Sequence, residues 1–217
     1  MGRAIVRVCR RHALGLLAGV MLLPLTSRIA WSELSTADAE GVVNELAVQV
    51  WQVLDRTELT EQERIDGLAA LLESRTDVPL LSRLVLGRHW NQLDDQQRAQ
   101  YQELFRNVVM HSFARRLNLY AKDARGQLED HFTIASSAPA GKQDVLVRSR
   151  VRPQSGDVLA VDWRLREGPD GPVVIDLIIE GVSLLVSQRS EFAAVIERSN
   201  MDGLLAELRA RAGSTES

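Results

Sequence analysis

The feature that most limits what this chain can fold into is a change of hydrophobic period near Gly126. Before it, apolar residues recur every three or four positions, the spacing of one helix face. After it they alternate with polar residues, the spacing of a half-buried strand. In the first regime, positions 36–56 carry Val42, Val43, Leu46, Val50, Trp51 and Leu54 on one face. Thr60-Glu61-Gln62-Glu63 has the form of a capping box and predicts a second helix running to about Glu73. Asp77 and Pro79 read as a break, followed by a short element carrying Leu84 to Trp90. Asp94, with Gln97 three residues on, opens the longest helix. Its stripe is Tyr101, Leu104, Phe105, Val108, Val109, Ser112, Phe113, Leu117 and Tyr120.

In the second regime four strands are expected: Leu128 to Ser136, a strand with Val145, Val147 and Val151, a strand with Leu159, Val161, Trp163 and Leu165, and Val173 to Glu180. Arginines and Asp162 fill the alternate positions of the two middle strands. Pro139-Ala140-Gly141, the Pro153 to Gly156 stretch and the Gly168 to Pro172 stretch separate them. Such short connections imply an antiparallel meander with one apolar face and one arginine-rich face. Two short helices, Glu191 to Arg198 and Met201 to Arg209, should close the chain. Helices first and an antiparallel sheet second is an α+β fold. A strongly twisted four-stranded sheet folded over a long helix makes a cone that can stay open along its axis.

The ends argue for export. Arg3, Arg7, Arg10 and Arg11 precede a short apolar run from Ala13 to Leu25, the pattern of a cleavable signal peptide over 1–30 with cleavage after Ala30. The expected organisation is then a single α+β domain over 31–211 and a disordered tail over 212–217. Cys9, the single cysteine, would leave with the signal, so the domain must be held by its core and not by disulfides. Removing those four arginines and Arg28 takes the formal charge from −3 to −8. That argues against nucleic acid and against adhesion to anionic headgroups.

No catalytic constellation stands out. His89, His111 and His131 lack the spacing of a metal site, and no G-x-S-x-G elbow or phosphate-binding loop occurs. Ser183 follows a glycine after a strand but has no indicated partners. Asp162 and Asp176 read as solvent-face carboxylates, and Trp51, Trp90 and Trp163 as core aromatics. The apolar faces nonetheless exceed what one helix and a small sheet need for each other, above all with the added run Val182 to Val186. An interior ligand is a fair inference.

Three stretches together resemble the MlaC family of periplasmic phospholipid carriers, also described as toluene-tolerance auxiliary proteins. L-V-L-G-R-H-W at Leu84 to Trp90 resembles that family's L-G-R-Y-W element, with His89 in place of tyrosine. The long helix matches at Tyr101, Phe105, Ser112, Phe113 and Ala114. I-D-L-I-I-E-G-V-S-L-L-V-S-Q-R-S-E-F matches at Asp176, Glu180, Gly181, Val182, Ser183, Leu184, Arg189, Ser190 and Phe192, while Ser187 and Gln188 depart from the family's Asn-Tyr pair. Asp202-Gly203-Leu204 fits as well.

The resemblance implies a nuclear-transport-factor-like α+β fold with extra helices and no catalytic residue, metal or cofactor beyond lipid cargo. It also implies two partners: an MCE-type subunit of an inner-membrane ABC transporter and an outer-membrane lipoprotein complex. The carrier would serve lipid asymmetry of the outer membrane. Tyr101, Phe105, Val109 and Phe113 of the long helix are expected to line the cavity, with Val147, Val161, Trp163, Ile175, Leu177 and Ile179 of the strands. Val182 and Leu184 would lie at its mouth. Arg189 would stand at the rim, bonding a headgroup phosphate or pairing with Glu180. Escape of two acyl chains into water costs on the order of 25 kcal/mol, so a carrier must supply an apolar interior. The alternative is a small conical-fold enzyme, an isomerase or dehydratase, which would need an Asp or His inside that cavity.

Overall fold

Side-chain caps set where the helices begin. The computed structural model describes residues 34–119, 126–153 and 157–213. The expected signal over 1–30, Tyr120 and residues 214–217 lie outside them. Ser35 accepts from the Asp38 N–H at the start of α1 (Thr36–Leu54). The Thr60/Glu63 capping box opens α2 (Glu61–Ser74), with both reciprocal bonds made. Asp77 and Pro79 start a helix instead of breaking one. Asp77 accepts from the Leu80 N–H, and Pro79 occupies the first turn of α3 (Val78–Leu86), where its missing N–H is not needed.

Gly87 then turns the chain at φ +57° into a 3₁₀ segment, Gly87–Gln92, and Asp94 with Gln97 forms the second capping box. The long helix is not uniform. It runs as α4 (Asp95–Phe105), a π-helical turn (Arg106–Met110) and α5 (His111–Asn118). The π turn changes the phase of the stripe, so Val108, Val109 and Met110 are all buried in succession, a run that one face of a regular helix cannot hide.

The sheet is an antiparallel meander of five strands in the order β1-β2-β3-β4-β5, one more than expected. They are β1 (Phe132–Ala140), β2 (Asp144–Val151), β3 (Leu159–Gly168), β4 (Gly171–Ile179) and the short β5 (Val182–Ser183). The first strand starts later than its sequence pattern suggests, because Leu128–Asp130 coil into a 3₁₀ turn. Val145, Val147, Val161, Trp163 and Leu165 face inward as alternation requires. Asp144 begins β2 on the opposite face, where Arg164 and Arg166 both bond its carboxylate, at 2.7 and 2.6 Å.

Alternation fails in β4. A bulge places Ile175 between Asp176, opposite Arg164, and Val174, opposite Leu165. Val174, Ile175 and Asp176 are therefore all buried, and Val173 leaves the inner face that it was expected to share with Ile175 and Leu177. The bulged backbone is used: the Val174 N–H donates to the Arg75 carbonyl at the end of α2, 2.9 Å away.

Glu180 and Gly181 form the two-residue turn between β4 and β5, both at positive φ (50° and 78°). That is the geometry that matches the twist of hairpin strands and favours glycine. A Cβ at Gly181 would meet nothing within 4 Å, so backbone conformation and not crowding selects glycine there. The chain ends in α6 (Leu184–Gly213), two helical halves broken at Asn200 (φ 55°), whose side chain accepts from the Gly203 N–H to restart the second half.

Candidate functional site

Two apolar cavities lie within the described residues. The larger, about 160 Å³, lies between α1 and the inner face of the sheet. Val50, Trp51 and Leu54 form its helical wall, Phe132, Val151, Leu159, Val161 and Ile179 its sheet wall. The smaller, about 50 Å³, lies where the π turn and α3 approach the bulge of β4 and the start of α6. Leu46, Leu72, Trp163 and Leu177 belong to both walls, so they form the partition between the two spaces.

Trp163 is held in that partition. Its indole N–H donates to Ser149 Oγ at 2.9 Å, and Ser149 in turn donates to the Val161 carbonyl at 2.7 Å. Ser149 is almost fully buried, so the chain of bonds satisfies both side chains' polar atoms beneath the sheet and fixes the ring orientation.

The charged residues in the walls are few. Arg75 is ion-paired with Glu45 at the smaller cavity. Asp176 is also there, buried and not on a solvent face. It accepts from Ser183 Oγ at 2.5 Å and from the Leu185 N–H at 2.9 Å. Ser183 accepts in turn from the Val186 N–H, so the Asp176–Ser183 pair caps the start of α6. In the larger cavity, His131 and Arg152 are the polar side chains of the wall. The His131 ring stacks on Trp51 with centroids 4.7 Å apart. Among the described residues no group of three or more His, Cys, Asp or Glu could hold a metal ion.

The structure sorts the expected lining residues. Phe105, Val109, Phe113, Ile175 and Leu184 line the smaller cavity, Val161 and Ile179 the larger, and Trp163 and Leu177 both. Four lie elsewhere. Tyr101 is buried in the helical core with its hydroxyl on the Ser82 carbonyl, and burial pushes its phenol far above the ordinary range. Val147 packs between the sheet and α1 without reaching either space. Val182 is 57% exposed at the hairpin tip. Arg189 neither stands at a rim nor pairs with Glu180. Its guanidinium donates to the Leu84 carbonyl at the end of α3, while the Glu180 carboxylate accepts from the Ala160 N–H.

Sequence reasoning missed the α1 wall as a lining surface, although Leu46, Val50, Trp51 and Leu54 stand out in its stripe. It missed Arg152 because alternation places that residue on the arginine-rich face.

A family model described as MlaC protein matches residues 44–210. The chain belongs to the MlaC family. Its fold also matches the structure of the phospholipid-binding protein from Ralstonia solanacearum, solved in complex with a phospholipid. That match has a TM-score of 0.68 at 25% identity, over 83% of this chain and 99% of that one.

The MlaC-like signature that runs from Ile175 to Phe192 now has a structural reading. Asp176 and Ser183 cap α6, Glu180-Gly181 make the hairpin turn, and Arg189 ties α6 to the end of α3. Phe192 enters the aromatic core against Tyr101 and Phe105. In this MlaC-family chain the signature is chiefly the joint between sheet and helices, and its cavity contacts are Ile175 to Leu177, Ile179, Leu184, Leu185 and Gln188.

Proposed function

We propose that this chain is a periplasmic phospholipid carrier that moves lipid between an MCE-type subunit of an inner-membrane ABC transporter and an outer-membrane lipoprotein complex. The observation that carries the reading is the interior: two adjoining cavities whose walls are almost wholly hydrocarbon, divided by four shared side chains. Membership of the MlaC family and the likeness to a protein that binds phospholipid support it. An apolar, largely preformed space with few polar groups suits acyl chains and poorly suits a polar substrate. A cavity of about 150 Å³ accepts a molecule the size of benzene. Two acyl chains need more, so loading requires the shared wall of Leu46, Leu72, Trp163 and Leu177 to give.

The enzyme reading has one point in its favour, a carboxylate in a cavity wall. Both Asp176 oxygens already accept hydrogen bonds that hold α6 in place, which makes this group a cap and a poor general base. The sequence has no nucleotide-binding loop, so directional transport must draw its energy from the transporter.

Organic extraction of protein purified gently from its native compartment tests the proposal. Stoichiometric diacyl phospholipid is the expected result, and lipid-free protein would overturn it. Transfer of labelled lipid between this protein and the transporter subunit then tests the partner.

A further inference from the structure

We propose that Arg152, at the edge of the larger cavity, binds the anionic phosphate of the lipid headgroup while the acyl chains enter beside it. The inference rests on the carrier reading and adds to it a place and a charge for the headgroup.

Three observations meet at this residue. First, Arg152 is the one permanently charged side chain in a wall that is otherwise hydrocarbon apart from His131. Second, its backbone is clamped on both sides. The Arg152 N–H donates to the His131 carbonyl at 2.8 Å, and the His131 ring Nδ1–H donates back to the Arg152 carbonyl at 2.7 Å. That ring stacks on Trp51 of α1, and Pro153 follows, so the Cα position is fixed relative to the cavity wall. Third, Arg152, like Arg150 but unlike Arg148, Arg164 and Arg166, is without an ion pair among the described residues, and of the two only Arg152 lies in a cavity wall. Arg164 and Arg166 share Asp144, and Arg148 faces Asp162.

The chemistry that fits is an anionic phosphodiester carried on two long chains. A guanidinium presents two parallel N–H donors to a phosphate, and near low-dielectric hydrocarbon that interaction is stronger than in open water. With the backbone already fixed, binding has only the side chain left to order. An uncharged diacylglycerol offers the same tails but nothing for Arg152 to hold.

The test uses purified protein stripped of lipid by organic extraction and titrated with two pyrene-labelled probes of identical chains, phosphatidylglycerol and diacylglycerol. Arg152→Ala should weaken phosphatidylglycerol binding about tenfold and leave diacylglycerol within about twofold. Arg152→Lys, which keeps the charge without the fork, should recover part of the loss. The exposed position predicts an unchanged melting temperature for both variants. Equal weakening of both probes, or unaltered phosphatidylglycerol binding, would overturn the assignment while leaving the carrier reading intact. If the unsubstituted protein binds neither probe, the carrier reading itself fails and the assignment falls with it.

Discussion

The two halves of the interior are built on opposite plans. In the helical half, Phe192 meets Tyr101 and Phe105 edge to face and those two rings lie tilted to each other, with centroids between 5.7 and 6.4 Å apart, and all three are nearly inaccessible to solvent. Between α1 and the sheet, branched aliphatic side chains cover the inner face, yet a cavity of about 160 Å³ persists beneath them. Close packing of aromatic rings is worth more per residue than an equal face of valines with a void below it. Stability is thus concentrated in one half and capacity in the other. The hollow half must rely on polar ties at its margins, chiefly Asp144 on the outer face of the sheet and the Ser149–Trp163 pair within.

Phe192→Ala should give the largest effect, a loss of about 3–5 kcal/mol of unfolding free energy by urea melting, because the ring leaves a hole that its neighbours cannot fill. A loss below about 1 kcal/mol would show that the aromatic cluster is not where stability resides. Lipid carried by the remaining folded fraction should be unchanged.

Asp144→Asn should cost about 1–2 kcal/mol at pH 7, since it removes the charge between Arg164 and Arg166. Burial pushes the Asp144 carboxyl up, but hydrogen bonds and charge from Arg166 and Arg164 outweigh that and hold it below the usual carboxylate range. A carboxyl depressed in the folded state stabilises fully above its unfolded pKa, near 4, and that stabilisation fades as pH falls through the folded value. The gap between variant and parent should therefore be complete at neutral pH and close in acid. A gap that persists unchanged at low pH would mean that the loss is one of shape and not of charge.

Val161→Phe should have the smallest effect on stability and a large one on cargo. The larger ring enters existing space, so less than about 1 kcal/mol should be lost, against 1–3 for overfilling a packed core. Each methylene it displaces should lower lipid occupancy roughly fourfold. Destabilisation comparable to that of Phe192→Ala would erase the contrast between the halves.

Much of this arrangement is legible in the residues, for identifiable reasons. The capping boxes at Thr60 and Asp94 are local, as are the alternating valines of β2 and β3, and both appear where their patterns put them. Features that depend on contacts between distant segments leave no such mark. The β4 bulge is stabilised by Arg75, about a hundred residues upstream, and Arg189 finds its carbonyl at Leu84. Asp176 looks like an outward residue until α6 folds back over it. The cavity wall was only half readable, because an apolar stripe reads the same whether it faces another side chain or a void.

The π turn in the long helix has one further consequence. It presents Val109 and Met110 to the smaller cavity from the stretch of that helix where regular i→i−4 hydrogen bonding is interrupted. Methionine has three freely turning bonds and a polarizable sulfur, and fills spaces of irregular outline. A boundary built this way can follow a chain bent at a double bond as readily as a straight one. Tolerance of saturated and unsaturated tails would then come from a single irregular helical turn, while the aromatic cluster beside it keeps its shape.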